Sequence, residues 1–251
     1  MFDFSVKNVV VTGGSRGIGA ATVELFAASG ANVSFNYHTN KNSADDLLKR
    51  IQVYNGNHFC ARCDVSSASD VAAFIAQIIE RYEHIDVLVN NAGIWEYGAI
   101  DTMEESNWRR TIEINLDSIF FFTKLVVQNM KEHGTRGRIV NVASTAGQRG
   151  EAFHSHYAAS KGAIISFTKS LASELGPDGI LVNCVAPGWV NTDMSKDAIE
   201  EDPDKILSLI PIRRIPGPEE IAGPIVFLAS DYATAITGEI LNVNSGSVLC
   251  G

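Results

Sequence analysis

Tyr157 and Lys161 stand four positions apart in the stretch Ser155-His156-Tyr157-Ala158-Ala159-Ser160-Lys161. On a helix that spacing puts a phenol and an ammonium on one face, about one turn apart. A fixed cation stabilises the phenolate and lowers the proton affinity of the phenol. This is the direction needed for a tyrosine that exchanges a proton with a substrate oxygen near neutral pH. The plain alternative is a half-exposed tyrosine and a solvated lysine on an ordinary amphipathic helix. What the rest of the chain brings to this pair decides between the two.

A second chemical signal lies near the N-terminus. Residues 8–12 read as a short apolar strand that runs into Gly13-Gly14-Ser15-Arg16-Gly17-Ile18-Gly19 and then into an alanine-rich helix over 20–28. Strand, glycine turn and helix in that order make a phosphate site, because the backbone can approach the anion and the free N–H groups at the helix start point at it. The spacing TGxxxGxG departs from the GxGxxG fingerprint, and a plain glycine turn is the competing explanation. The strand over 32–36 ends in Asn36-Tyr37-His38, with no carboxylate to hold ribose hydroxyls, while Arg16 lies in the glycine turn and Lys41 follows. No anion and an available cation favour a 2′-phosphate, and so NADP(H) over NAD. His38 and Lys41 could equally be surface residues with no part in this.

Further polar residues fall at predicted strand ends, where open α/β sheets bind ligands. Asp64, in Cys63-Asp64-Val65-Ser66 after a strand over 57–62, can contact adenine or cap the next helix, for which Ser66 or Ser67 is the nearer candidate. Asn90-Asn91-Ala92-Gly93 follows a strand over 84–89, where amides can tie neighbouring strand ends together and a glycine lets a flat ring lie close. A helical apolar pattern over 107–129 contains Asn115, near which a break or bend is expected; a buried amide there needs partners. Ser144 ends a strand over 137–144, and the helix over 155–175 carries Tyr157 and Lys161. The strand over 180–186 closes with Pro187-Gly188-Trp189-Val190-Asn191-Thr192. Irregular sequence over about 189–215 suggests a substrate-facing lid. Pro218 opens another helix and a last strand covers 238–243. These are about seven strands alternating with helices, which predicts an α/β, Rossmann-like parallel sheet in a single domain over 1–251.

Composition narrows the classes. The formal net charge of -9 opposes a nonspecific nucleic-acid or anionic-membrane role, and no long apolar run predicts a membrane span or leader, so a cytoplasmic location is expected. Cys60-x-x-Cys63 lacks a second ligand pair, and no metal is expected. Ser144 with His154 or His156 invites a hydrolase reading, but the GxSxG elbow is missing and no carboxylate evidently orients either histidine. The two histidines can instead shape the substrate mouth.

Taken together, Thr12-Gly13-x3-Gly17-x-Gly19, Asn90-Asn91-Ala92-Gly93, Asn115, Ser144, Tyr157-x3-Lys161 and Pro187-Gly188 with Thr192 resemble the short-chain dehydrogenase/reductase family over the entire chain. The resemblance implies a doubly wound parallel sheet and a homotetramer. It implies that Tyr157 is the general acid in carbonyl reduction and the base in the reverse direction, and that Ser144 polarises the carbonyl oxygen. Lys161 would hold the nicotinamide ribose and tune the tyrosine, and Asn115 would position a relay water. The implied cofactor contacts are Gly13, Ser15, Arg16, Gly17, Ile18, Gly19, Asn36, His38, Asp64, Val65, Asn91, Ala92, Gly93, Tyr157, Lys161, Pro187, Gly188, Val190 and Thr192.

Within that family the sequence is most similar to 3-oxoacyl-acyl-carrier-protein reductases and related glucose and secondary-alcohol dehydrogenases. An acyl-thioester or small ketone is the implied substrate, and a catalytically idle dinucleotide-binding scaffold is the alternative of another class. Asp178 stands where the fatty-acid enzymes commonly carry a cation for carrier-protein docking, with Lys131, Arg136 and Arg138 as candidate compensators. Trp95 and Trp189 should narrow the substrate pocket and make it aromatic, which suits a small or ring-containing carbonyl compound.

Overall fold

The computed structural model describes residues 2–249. Its elements are β1 (Asn8–Val11), α1 (Gly17–Ala28), β2 (Asn32–Tyr37), α2 (Lys41–Ile51), β3 (Phe59–Arg62), α3 (Ala68–Tyr82), β4 (Val87–Asn90), α4 (Glu105–Ile112), α5 (Ser118–Glu132) and β5 (Arg138–Val142). They continue with α6 (Thr145–Arg149), α7 (Ser155–Leu175), β6 (Leu181–Pro187), α8 (Lys196–Glu201), α9 (Pro203–Ser208), α10 (Pro218–Ala229) and β7 (Ile240–Val243). The seven strands form one sheet in the order β3-β2-β1-β4-β5-β6-β7, and every neighbouring pair is parallel. The order reverses between β1 and β4, which opens a crevice at the carboxyl ends of these strands.

Both faces of the sheet are covered, and β1 shows why its apolar run is continuous. Val9 and Val11 belong to one core with Phe26, Phe35 and Ile225, whereas Val10 belongs to the other with Phe74, Phe122 and Met130. Successive strand residues point to opposite faces, so a strand buried on both sides needs apolar side chains at every position. The alternating βα order supplied the helices that cover each face, as expected.

Three of the departures from the sequence expectation have a specific structural cause. The long helix over 107–129 is two helices, α4 and α5, joined by a π-helical turn over Glu113–Asp117 that contains Asn115. β5 stops at Val142, and Ser144 caps α6, where its Oγ accepts from the Ala146 N–H at 3.1 Å. β4 begins at Val87 rather than at residue 84, because His84 and Ile85 serve as a hydrogen-bonded corner: the Ile85 N–H donates to Asn129 Oδ1 at 2.9 Å. Among the described residues no helix is long and apolar enough to cross a membrane.

Candidate active site

Strand ends and helix starts converge on one cleft of about 690 Å³. Every cofactor-side residue expected from the sequence lines it, and so do Ser144, Tyr157 and Lys161. Asn115 does not line the cleft; it sits behind it, fully buried.

The phosphate end is built from α1. This helix begins with no side-chain cap and no acidic residue in its first turn, so its orphan N–H groups and the positive end of its dipole face the cleft. A Cβ at Gly19 would run into the Gly13 carbonyl oxygen, which shows how tightly the turn folds back on the helix. Thr12 fixes the neighbouring strand: its Oγ1 accepts from both the Asn91 and Ala92 N–H groups at 3.0 Å, and Asn91 Nδ2 donates to the Thr12 carbonyl at 2.9 Å. The Thr12 hydroxyl had only a family motif to mark it in the sequence, yet it holds the two strand ends that frame the crevice. An open helix N-terminus beside closely packed backbone fits a dinucleotide pyrophosphate.

The adenosine end is more committed than the sequence suggests. Asn36 is buried; its Oδ1 accepts from the Gly13 N–H at 2.9 Å and its Nδ2 donates to the Cys63 carbonyl at 3.1 Å. It therefore braces the glycine turn against the end of β3, with one of its two amide N–H groups used on the Cys63 carbonyl. Asp64 is not the helix cap: Ser67 caps α3, accepting from the Asp70 N–H. The Ser66 hydroxyl donates to Asp64 Oδ1 at 2.6 Å and, with the Ser66 N–H, holds the Asp64 carboxyl below its usual range against the effect of burial. Asp64 Oδ2 lies 3.6 Å from His38 Nε2. Arg16, on the rim, reaches Asp193 at 4.0 Å across the cleft mouth, and both side chains are largely exposed. Lys41 pairs with Asp45 on the outside of α2.

At the chemical end, α7 carries Tyr157 and Lys161 one turn apart, as the spacing predicts. Lys161 Nζ donates to the Val142 carbonyl at 2.8 Å and stands 5.7 Å from the centre of the Tyr157 ring. An ammonium has three donors, and among the described residues this carbonyl is its one hydrogen-bond acceptor. Burial pushes Lys161 down to about 8. It also pushes the Tyr157 phenol up to about 12, with Ser144 opposing and the Glu151 carboxylate reinforcing the rise. Desolvation is the largest cause of this rise, and helical spacing alone does not report it. The phenol edge remains partly open to the cleft. Ser144 reaches the same place through α6, whose Gly147 packs on α7 so closely that a Cβ would lie 2.5 Å from the Lys161 carbonyl carbon.

Asn115 clamps the loop after β4 to this helix. Its Oδ1 accepts from the Ile94 N–H at 2.8 Å, and its Nδ2 donates to the Ile94 carbonyl at 3.0 Å and to Ser160 Oγ at 3.1 Å. Both amide N–H donors are used in protein contacts, and Oδ1 keeps one lone pair beyond the Ile94 N–H.

The substrate mouth is aromatic, as Trp95 and Trp189 predict. The Trp95 ring stacks on His154 at 4.4 Å and meets Trp189 at 84° with centroids 5.9 Å apart. Trp95 Nε1 donates to Glu151 Oε1 at 3.2 Å, and His154 Nδ1 lies 3.6 Å from that same oxygen. A carboxylate does therefore accompany His154, contrary to the sequence expectation. Ser144, however, makes no contact with either histidine among the described hydrogen bonds, so no nucleophile–base pair forms. His156 is buried beneath the loop that holds Gly98 and Met103, and neither ring nitrogen has a partner. Glu151 gave no signal in the sequence, since nothing in its spacing links it to Tyr157. Cys63 is buried with its thiol pushed up to about 12 by desolvation, which leaves it unreactive.

An open phosphate cradle at a switch point, followed by a Ser, Tyr and Lys grouping at the next strand ends, defines a nicotinamide-dependent oxidoreductase site. The chain belongs to the short-chain dehydrogenase/reductase family. The family model that matches, over residues 13–247, is described as Enoyl-(Acyl carrier protein) reductase. The 3-oxoacyl-[acyl-carrier-protein] reductase of Synechocystis sp. is 40% identical over 99% of this chain and 100% of its own length. Among solved structures, a glucose/ribitol dehydrogenase of the short-chain family from Brucella melitensis superposes with a TM-score of 0.92 at 36% identity, covering 99% of each chain. The F189W actinorhodin polyketide ketoreductase with NADPH superposes with a TM-score of 0.90 at 35% identity, covering 96% of this chain and 97% of that one.

Proposed function

We propose that the protein reduces a ketone carbonyl to a secondary alcohol with NADPH, reversibly, and that its substrate is a 3-oxoacyl thioester or a small ketone. The observation that carries this reading is the grouping of Ser144, Tyr157 and Lys161 in one cleft whose other end, at the uncapped start of α1, suits a pyrophosphate. When bound, the reduced nicotinamide supplies the hydride. Ser144 then donates a hydrogen bond to the carbonyl oxygen, and Tyr157 transfers its proton to that oxygen as negative charge develops there. Lys161 holds the ribose hydroxyls with the donors that Val142 leaves free and supplies positive charge close to the phenol. A relay water between Asn115 and Lys161 would have to donate to an Asn115 oxygen, because both side-chain N–H donors are occupied.

Arg16 supports the choice of NADPH, since its guanidinium stands exposed at the adenosine rim and a planar fork suits a phosphate. His38 can add a second donor there. The segment over 189–215, which includes α8 and α9, is proposed as the lid: Met194 and Ser195 line the cleft, and Asp193 reaches Arg16. A homotetramer in the cytoplasm is the assembly and location we assign on family resemblance.

Two of the three basic residues at the expected carrier-protein patch are engaged: Lys131 is ion-paired with Asp178 at 2.7 Å and Arg138 is largely buried with Asp231 at 3.9 Å, which leaves the exposed Arg136 to meet an acidic partner. The direct test follows loss of reduced-nicotinamide absorbance with acetoacetyl thioester as acceptor, NADPH against NADH. Turnover with NADPH at far lower concentration than NADH is expected; no turnover with either would contradict the reading.

A further inference from the structure

Resting on the carbonyl-reductase reading above, we infer that the substrate mouth selects a ketone bearing a flat ring next to the carbonyl and rejects one carrying an anionic group there. The two indoles of Trp95 and Trp189 stand nearly perpendicular, at 84°, and both line the cleft that holds Tyr157. A planar ring fits such a corner by stacking on one wall and meeting the other edge-on, whereas a flexible acyl chain gains neither contact. The corner is pre-set. His154 backs Trp95 at 4.4 Å with a 7° tilt, and the Trp95 N–H is tied to Glu151, so ring binding needs little reordering.

Glu151 is the carboxylate tied to this corner; of the guanidiniums lining the cleft, Arg16 is at the adenosine rim, Arg110 is paired with Glu96 at 3.0 Å and Arg149 is exposed. The Glu151 carboxylate lines the cleft and stands near enough to Tyr157 to push the phenol upward. Among the described residues its ion-pair partner within 4.0 Å is His154, which is charged only if protonated. A substrate carboxylate placed in the corner would face this anion across a half-buried site, and like charges so placed repel.

The test uses two pairs of ketones with the intact enzyme and NADPH. Ethyl benzoylacetate against ethyl acetoacetate isolates the ring, and methyl 4-acetylbenzoate against 4-acetylbenzoate isolates the charge. The wild type should favour the aryl ester about tenfold in kcat/KM, and Trp95→Leu should cut that ratio about fivefold. Glu151→Gln should raise kcat/KM for 4-acetylbenzoate about tenfold relative to its methyl ester. Because each readout is a ratio, a general loss of activity in either variant cancels. Ratios near one in the wild type, or ratios unmoved by the substitutions, would overturn this inference while leaving acetoacetyl thioester reduction intact. Failure to reduce any of these ketones, acetoacetyl thioester included, would remove the carbonyl-reductase reading itself and this inference with it.

Discussion

Lys161 Nζ lies 5.7 Å from the centre of the Tyr157 ring while donating to the Val142 carbonyl at 2.8 Å. Helical spacing delivers this neighbourhood, but burial decides its electrostatics, raising the phenol to about 12 and lowering the ammonium to about 8. A protonated phenol is what reduction requires. We therefore expect kcat/KM for carbonyl reduction to be level across neutral pH and to fall above about pH 8, as Lys161 loses its proton. A pH–rate profile checks this, and a level profile up to pH 10 would speak against Lys161 as the group that titrates.

The same shift bears on stability. An unfolded lysine keeps a value near 10.5, so between about pH 8 and 10.5 the unfolded chain binds more protons at this position than the folded one. Stability contributed by the site therefore rises with pH through that window, and Tyr157 opposes it only above about pH 10. Lys161→Met should melt above the wild type at pH 7, with the gap smaller at pH 9.5. Thermal denaturation at the two values decides it; an unchanged gap would mean that Lys161 is not desolvated as described.

Asn36 and Arg16 separate two ways of controlling cofactor choice. Asn36→Asp puts a carboxylate against the Cys63 carbonyl and removes the donor bond made there at 3.1 Å. A loss of about 1–3 kcal/mol in unfolding free energy is expected, without a clean switch to NADH. Arg16→Ala should weaken NADPH binding about tenfold or more, the scale of one charge-assisted contact, and leave NADH nearly unchanged. Fluorescence titration of both cofactors distinguishes these; a gain of NADH affinity in Asn36→Asp would show that position 36 reads the ribose directly.

The fold was legible because each strand announces itself. Val9-Val10-Val11 must be apolar throughout to serve both cores, and the glycine turn before α1 fixes where the crevice opens. The four catalytic candidates were legible through the family motif, and three of them meet at the cleft. What stayed hidden depends on long-range pairing. No local pattern tells that the Asn36 amide bridges Gly13 and Cys63, that Asn115 ties Ile94 to Ser160, or that Glu151 is close enough to Tyr157 to act on its phenol. The upward shift of the Tyr157 phenol was hidden for the same reason, since helical spacing does not report burial.

The Lys131–Asp178 pair at 2.7 Å gives a further expectation. Acetoacetyl thioesters of coenzyme A and of an acyl carrier protein should be reduced with kcat/KM values within about threefold of each other, since rim charges act mainly through the encounter rate. A strong preference for the carrier-bound thioester, lost at high salt, would mean that another basic surface receives it.

In the proposed reaction the Tyr157 phenol delivers the proton to the substrate oxygen. Tyr157→Phe keeps the ring and removes only the acid. With saturating NADPH and acetoacetyl thioester, kcat should fall at least about a hundredfold, the lower end of what a positioned general acid contributes, while the NADPH dissociation constant changes little. Retention of wild-type turnover by Tyr157→Phe would show that the phenol is not the proton donor.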